Sequence, residues 1–223
     1  MKSFGKFISL ILAVVIFATV PALAADNMQY ADSLYELALF RGTDKGYELE
    51  KTFTREEAAT ILVRLLGEEK NSEKENYTEI FIDVEKDRWS FPYVMYCLNN
   101  NITKGTGSNT FSPNKPISAE EFVTLVLRLL GYTDAEPETA LEESVYINLL
   151  NSQVTRRLSE SDLFTRNEMV YIVYRSLMTK NADGNILANE LAQKGVITEN
   201  EAKNFDVYNN SNSIDELLDK FLN

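Results

Sequence analysis

The chain has 223 residues, a formal net charge of −12, one cysteine (Cys97) and no histidine. Without histidine there are no Ser-His or Cys-His nucleophile pairs, no usual zinc ligand sets and no commonest general base, and one cysteine forms no internal disulfide. So acidic a chain has no broad basic face for nucleic acid, and any bound anion must be held by a local cluster of arginines and helix N-termini.

Lys2 and Lys6 precede an apolar run of 14 residues, Phe7 to Val20, and Ala22-Leu23-Ala24 supplies a small-x-small cleavage pattern. The run falls short of the roughly 20 residues that span a bilayer. Residues 1–24 are therefore expected to be a signal peptide, and the product an exported protein that does not engage the membrane after cleavage. Losing Lys2 and Lys6 takes the formal charge from −12 to −14.

One pattern then occurs three times: Phe53-Thr54-Arg55-Glu56-Glu57, Ile117-Ser118-Ala119-Glu120-Glu121 and Phe164-Thr165-Arg166-Asn167-Glu168. In each, a Thr or Ser at N-cap is followed three residues later by Glu, a capping box, and the preceding apolar residue can staple onto the fourth helical position. That staple is weak in the first copy, where the fourth position is the small Ala58. Ten residues after each cap stands an arginine (Arg64, Arg128, Arg175), where a cation complements the helix dipole. The first two copies then stop at Gly67 and Gly131. Three boxes in register with matching arginines mark internal repetition.

Apolar spacing places Ala58, Ile61, Leu62, Leu65 and Leu66 on one helical face, with matching faces in the other two copies. A second class of helix is predicted ahead of each capped one, over Asp32 to Phe40, Ser90 to Asn100 and Thr139 to Leu150. Each repeat reads as helix, irregular connection, helix; the connections Gly42 to Gly46 and Lys104 to Asn109 are rich in turn formers, whereas the third, Asn151 to Asp162, has neither glycine nor proline and looks different. The divisions are 1–24 signal peptide, 28–76, 77–133 and 134–180 for three repeats, and 181–223 for a C-terminal helical tail. Asn181 to Asn185 is expected to be a turn that lacks the full calcium ligand series. Further capping boxes run from Thr198 to Glu201 and from Ser213 to Glu216. Cys97, in an apolar stretch, is expected to be a small core residue.

The second repeat contains Phe81-Ile82-Asp83-Val84, Trp89, Tyr93-Val94, Asn101-Ile102-Thr103-Lys104-Gly105, Phe111-Ser112-Pro113 and Ser118-Ala119-Glu120-Glu121. In these residues it resembles the S-layer homology family. The first repeat keeps Leu39-Phe40-Arg41-Gly42-Thr43 and Thr54-Arg55-Glu56-Glu57. The third keeps Thr165-Arg166-Asn167-Glu168 and little upstream. The resemblance implies an all-α fold of three helix-loop-helix repeats in a pseudo-threefold arrangement around a central helical bundle, followed by short C-terminal helices. It also implies an exported, non-enzymatic protein of the cell wall or cell surface. Its partner would be a secondary cell-wall polysaccharide, often carrying pyruvate ketals, bound non-covalently without a cofactor or metal.

Carried over position by position, the resemblance nominates Arg55 and Arg166 for the ketal carboxylate. Each stands at N1 beside helix-terminal N–H groups and offers a planar two-pronged donor. Trp89 would stack on a sugar face. Asp83 and Lys104 are further contact candidates, and the backbone at Gly42 and Gly105 allows close approach. Ala119 replaces the arginine in the second copy, so at most two grooves are expected to be competent. The alternative is a degenerate scaffold that mediates protein–protein contact, with the tail recruiting a partner. A glycan-cleaving enzyme with paired carboxylates has no pair that stands out by spacing.

Overall fold

The computed structural model describes the backbone of residues 22–210 and the side chains of 27–205. The expected signal peptide up to residue 21 and the box at Ser213–Glu216 lie outside the described residues. Among these, all regular structure is helical: α1 (Ala22–Glu36), α2 (Arg55–Leu65), α3 (Glu69–Ser72), α4 (Phe91–Asn99), α5 (Ala119–Leu129), α6 (Ala140–Tyr146), α7 (Ser152–Glu160), α8 (Arg166–Met178), α9 (Leu187–Gln193) and α10 (Glu199–Asn210). None of them is long and apolar enough to cross a membrane.

The three repeated boxes start α2, α5 and α8. Thr54, Ser118 and Thr165 hold extended backbones, and the Glu57, Glu121 and Glu168 carboxylates accept from the N-cap N–H groups at 2.7, 3.1 and 3.0 Å. Each box thus satisfies donors that a helix start leaves free. The apolar faces of these helices form the core, with Leu62, Phe122, Val126, Ile172 and Val173 fully buried. Each such side chain contributes about 1.5–3 kcal/mol relative to exposure. Phe53, Phe122 and Phe164 all meet one another, with ring centroids 5.4, 5.4 and 5.5 Å apart. α5 packs on both α2 and α8.

A second repeated feature is a left-handed turn that ends the leading helix of each repeat. Ala38, Asn101 and Asn148 adopt φ of 58°, 58° and 59°. In each case the next two N–H groups converge on one carbonyl: Leu39 and Phe40 on Leu34, Ile102 and Thr103 on Cys97, Leu149 and Leu150 on Ser144. This turn explains two departures from the predicted elements. α1 ends at Glu36 rather than Phe40, and α6 ends at Tyr146 rather than Leu150, because each chain must reverse before its buried Leu-Phe or Leu-Leu pair. The third connection is also not irregular. Asn151 Oδ1 accepts from Val154 N–H at 2.9 Å and caps α7, a lone N-cap without the glutamate that marks the boxes. Asn181–Asn185 is a turn, its Asn181 Oδ1 accepting from the Asp183 and Asn185 amides. Thr198 and Glu201 form the reciprocal pair of a capping box.

The repeats are joined through the starts of α2 and α8. Arg55 and Glu56 N–H donate to Lys115 and Pro113 carbonyls at 3.0 and 3.2 Å, and Arg166 and Asn167 N–H donate to Lys51 and Leu49 carbonyls, both at 2.9 Å. Among the described residues, no loop carbonyl accepts in the same way from Ala119 or Glu120 at the start of α5.

Candidate functional site

Those backbone bonds correct one expectation. The amide groups at the starts of α2 and α8 are not free to receive an anion, because carbonyls of neighbouring loops already accept from them. Anion recognition at either place must come from side chains.

The two N1 arginines are both buried, at 4% and 8% exposure, yet they are held differently. Arg55 Nε donates to the Phe111 carbonyl at 2.8 Å, its guanidinium lies 5.0 Å from the centre of the Phe111 ring, and Nη1 is 3.4 Å from Glu121. Burial draws its pKa below the usual value, opposed by the charges of Glu121 and Asp83. Arg166 Nη2 donates to Glu57 at 2.8 Å, but its Nε is buried with no hydrogen-bond partner among the described residues. A buried donor left unpaired costs about 1–3 kcal/mol, so an acceptor that reached it would be bound with that much less to overcome.

Arg166 lines a cleft of about 280 Å³ together with Gly42, Trp89, Phe40, Arg41 and Arg64, and Glu57 stands in the same wall. Three of the residues nominated by sequence therefore meet here: Arg166, Trp89 and Gly42. They come from the third, second and first repeats respectively. Trp89 is 55% exposed. Gly42 is fixed by the tightness of its own loop, where a Cβ would stand 2.7 Å from the Gly46 carbonyl oxygen.

Arg55, Asp83 and Gly105 gather elsewhere, around the Phe111 loop. Asp83 Oδ1 and Oδ2 accept from Phe111 and Ser112 N–H at 2.8 and 2.7 Å. A Cβ on Gly105, whose φ is 80°, would stand 2.5 Å from the Thr110 carbonyl oxygen and 2.6 Å from the Phe81 ring. Lys104 is exposed and paired with Glu136.

Arg41 and Arg64 are not among the ligand contacts that the sequence nominates, although both line the cleft. Both bind Glu69, Arg41 through two donors at 3.1 and 2.7 Å and Arg64 through Nε at 2.8 Å. The second repeat repeats this arrangement: Lys104 and Arg128 both bind Glu136. Arg128 also donates twice to the Ala135 carbonyl, at 2.9 and 2.7 Å. In the third, Arg175 reaches the Leu149 and Asn148 carbonyls. Arg64 and Arg128 thus tie the segment beyond their helices, whereas Arg175 ties the turn that follows α6. The signal in the sequence is a cation beside Gly42 and Gly105, and a glutamate shortly after Gly67 and Gly131. Burial pushes the Glu69 carboxyl up, but the hydrogen bonds and charges of Arg64 and Arg41 outweigh it and hold it below the usual carboxylate range.

No group of three or more metal-ligating side chains occurs among the described residues. The geometry suits recognition of an anion beside an apolar ring. The cleft is lined by the apolar Phe53, Ile61 and Met169, by the exposed Trp89, and by three arginines whose charge Glu57 and Glu69 offset only in part.

Comparison with known proteins agrees with the residues of the second repeat. The family model of the S-layer homology domain matches residues 81–123. The chain is 26% identical over 187 residues to the middle cell wall protein of Brevibacillus brevis, covering 81% of this chain and 18% of that protein. It is 30% identical over 115 residues to the surface layer protein of Brevibacillus choshinensis, covering 51% of this chain and 10% of the relative. It is 33% identical over 84 residues to the cellulosome-anchoring protein of Acetivibrio thermocellus, covering 38% and 19%. The chain therefore spans less than a fifth of the length of each of these relatives. Residues 81–123 thus carry an S-layer homology domain, and the similarity to these proteins supports a place at the cell surface or cell wall.

Proposed function

We propose that the cleft between Arg166 and Trp89 binds a carboxylate-bearing sugar of secondary cell-wall polysaccharide, a pyruvate ketal being the fitting group, and so holds the protein non-covalently on the wall. The observation that carries this reading is the unpartnered, buried Nε of Arg166 in a cleft with an exposed tryptophan. A guanidinium whose Nε lacks a partner favours a planar carboxylate that can reach it, and an indole face favours the C–H side of a sugar ring. Arg41 and Arg64 add positive charge that Glu69 neutralises only in part. This is a binding role, and the cleft supplies positioning rather than a reacting group.

The reading commits to one strong groove. Arg55 is the counterpart of Arg166, but its Nε already donates to the Phe111 carbonyl, and Ala119 brings no guanidinium to the third position. The boundaries 28–76, 77–133 and 134–180 are carried as part of the same proposal, since the cleft draws one element from each.

Co-sedimentation with wall sacculi tests it, using matched sacculi stripped of secondary polysaccharide as the control. Binding is expected to need the polysaccharide. It should fall at least tenfold, about 1.4 kcal/mol, in Arg166→Ala and in Trp89→Ala, and persist in Lys104→Ala. Equal binding to native and stripped walls would overturn the reading. It would favour the alternative of a protein-binding scaffold, for which the replacement of arginine by Ala119 is the supporting observation.

A further inference from the structure

Trp89 is the single tryptophan of the chain, and its exposed ring forms one side of the cleft. An exposed indole serves as a stacking platform only if its backbone is held, since ordering it on binding would consume part of the affinity. The residues on both sides of it are held by one carboxylate. Arg88 donates from Nε to Glu56 Oε2 at 2.7 Å and from Nη2 to Oε1 at 2.9 Å, and Ser90 Oγ donates to Oε2 at 2.5 Å. Arg88 Nη2 also reaches Asn114 Oδ1 at 2.5 Å. Glu56 is 5% exposed and Ser90 is fully buried. The segment that carries Trp89 is thus pinned immediately before and after the indole to the first turn of α2.

The next residue along α2, Glu57, accepts from Arg166. Two adjacent carboxylates at one helix start therefore hold the two sides of the cleft, Glu56 the aromatic side and Glu57 the cationic side. The equivalent positions on α5 and α8 are Glu120 and Asn167, and neither is ion-paired to an arginine among the described residues.

We propose that Glu56 is a positioning residue of the cleft, acting through Arg88 and Ser90 to fix Trp89 for stacking. The ligand half of this statement rests on the function proposed above; the clamp itself is measurable without ligand. The single indole N–H gives one resonance, so its 15N relaxation reports the clamp directly in the purified protein. The wild-type indole is expected to have an order parameter near the rigid-backbone value of about 0.85, and Glu56→Gln to lower it below about 0.6. Arg88→Lys, which keeps the charge but loses the two-pronged contact, is expected to move it in the same direction and serves if Glu56→Gln does not fold. Ile197→Val, a core change far along the chain, controls for general loosening and is expected to leave the indole unchanged. Sacculus binding by the same variants is expected to weaken roughly tenfold for Glu56→Gln and not for Ile197→Val. An unchanged indole order parameter in a folded Glu56→Gln or Arg88→Lys protein overturns the clamp. A loosened indole in a protein whose wild type ignores wall polysaccharide sustains the clamp and overturns the ligand assignment instead.

Discussion

Arg55 at the first turn of α2 faces Glu121 at the first turn of α5 across 3.4 Å. Arg166 at the first turn of α8 stands in the same relation to Glu57 of α2, at 2.8 Å. In both pairs an N1 arginine of one repeat meets the N3 capping glutamate of another. The glutamate that closes its own capping box thereby also receives a neighbouring helix, so local helix initiation and repeat assembly share one side chain.

The Arg55 pair is the more enclosed of the two, and Arg55→Ala is expected to act on stability. The substitution leaves the Phe111 carbonyl and Glu121 without this donor and removes the cation from the Phe111 ring. A loss of about 3–5 kcal/mol is expected when one partner of a buried pair is removed, measured as a lower urea midpoint with little change in slope. Because Arg55 does not line the cleft, binding to wall sacculi at low temperature, where the variant remains folded, should change less than in Arg166→Ala.

Ala38 carries the opposite opportunity. It is exposed and holds φ at 58°, where its Cβ crowds the following carbonyl. The equivalent turns use Asn101 and Asn148, residues that tolerate this region. Ala38→Gly is expected to stabilise the protein by about 1 kcal/mol, and Ala38→Asn by a smaller amount. Thermal or urea unfolding measures both, and a lower midpoint for Ala38→Gly would contradict the strain argument.

Asp83 binds two consecutive backbone amides at the Phe111 loop. Asp83→Ala leaves both amides without an acceptor in a part-buried setting and is expected to cost about 2–3 kcal/mol, since bonds to a charged group contribute about 1.5–3 kcal/mol. Hydrogen exchange at the Phe111 and Ser112 amides should accelerate in this variant even where Ala38→Gly offsets part of the lost global stability.

Much of this architecture is legible in the sequence because it is local. A capping box is written within four residues, and all three appear where Thr54, Ser118 and Thr165 place them. The helix-end turns escape a reading of the sequence because Ala38, Asn101 and Asn148 have no common side chain. What they share is a backbone conformation imposed by the buried pair that follows. The helix α7 escapes it because a lone Asn151 cap carries less signal than a box. At the site, residue types are readable but not their sorting. Arg55 and Arg166 occupy the same register, and only the tertiary fold gives one of them the Phe111 carbonyl and leaves the other with a free Nε. Trp89 stands out in the sequence as the single tryptophan, whereas the carboxylate pinning its neighbours comes from another repeat, 32 residues away from Arg88.

Cys97 is 1% exposed, and burial pushes its thiol pKa far above the ordinary range. The thiolate is the reactive form, so the native protein is expected to resist iodoacetamide and label only as it unfolds. Labelling measured against urea concentration should follow the unfolding curve. Rapid labelling in the absence of denaturant would mean that the packing of α4 on α2 opens locally.

Acid should remove stability through a small set of glutamates. Burial pushes the Glu56 carboxyl up, but its hydrogen bonds to Arg88 and Ser90 and the charge of Arg88 outweigh this and hold it below the usual range. Glu121 is also raised by burial and lowered by more, through the Ser118 amide, Lys115 and Arg55. In each case the folded pKa lies below the unfolded one, which for glutamate is about 4.3. The folded state therefore binds fewer protons in this range. The stability these groups contribute is fully present above the unfolded value and disappears as pH falls through the folded values. Urea midpoints are expected to be nearly flat from pH 7 to about 5 and to fall below about 4.5. Glu56→Gln has no carboxylate to protonate, so it should start lower at pH 7 and lose less on acidification. Parallel curves for the two proteins would mean that the Glu56–Arg88 contact does not contribute to the acid response, and would move its source to other glutamates held low, Glu121 and Glu69 among them.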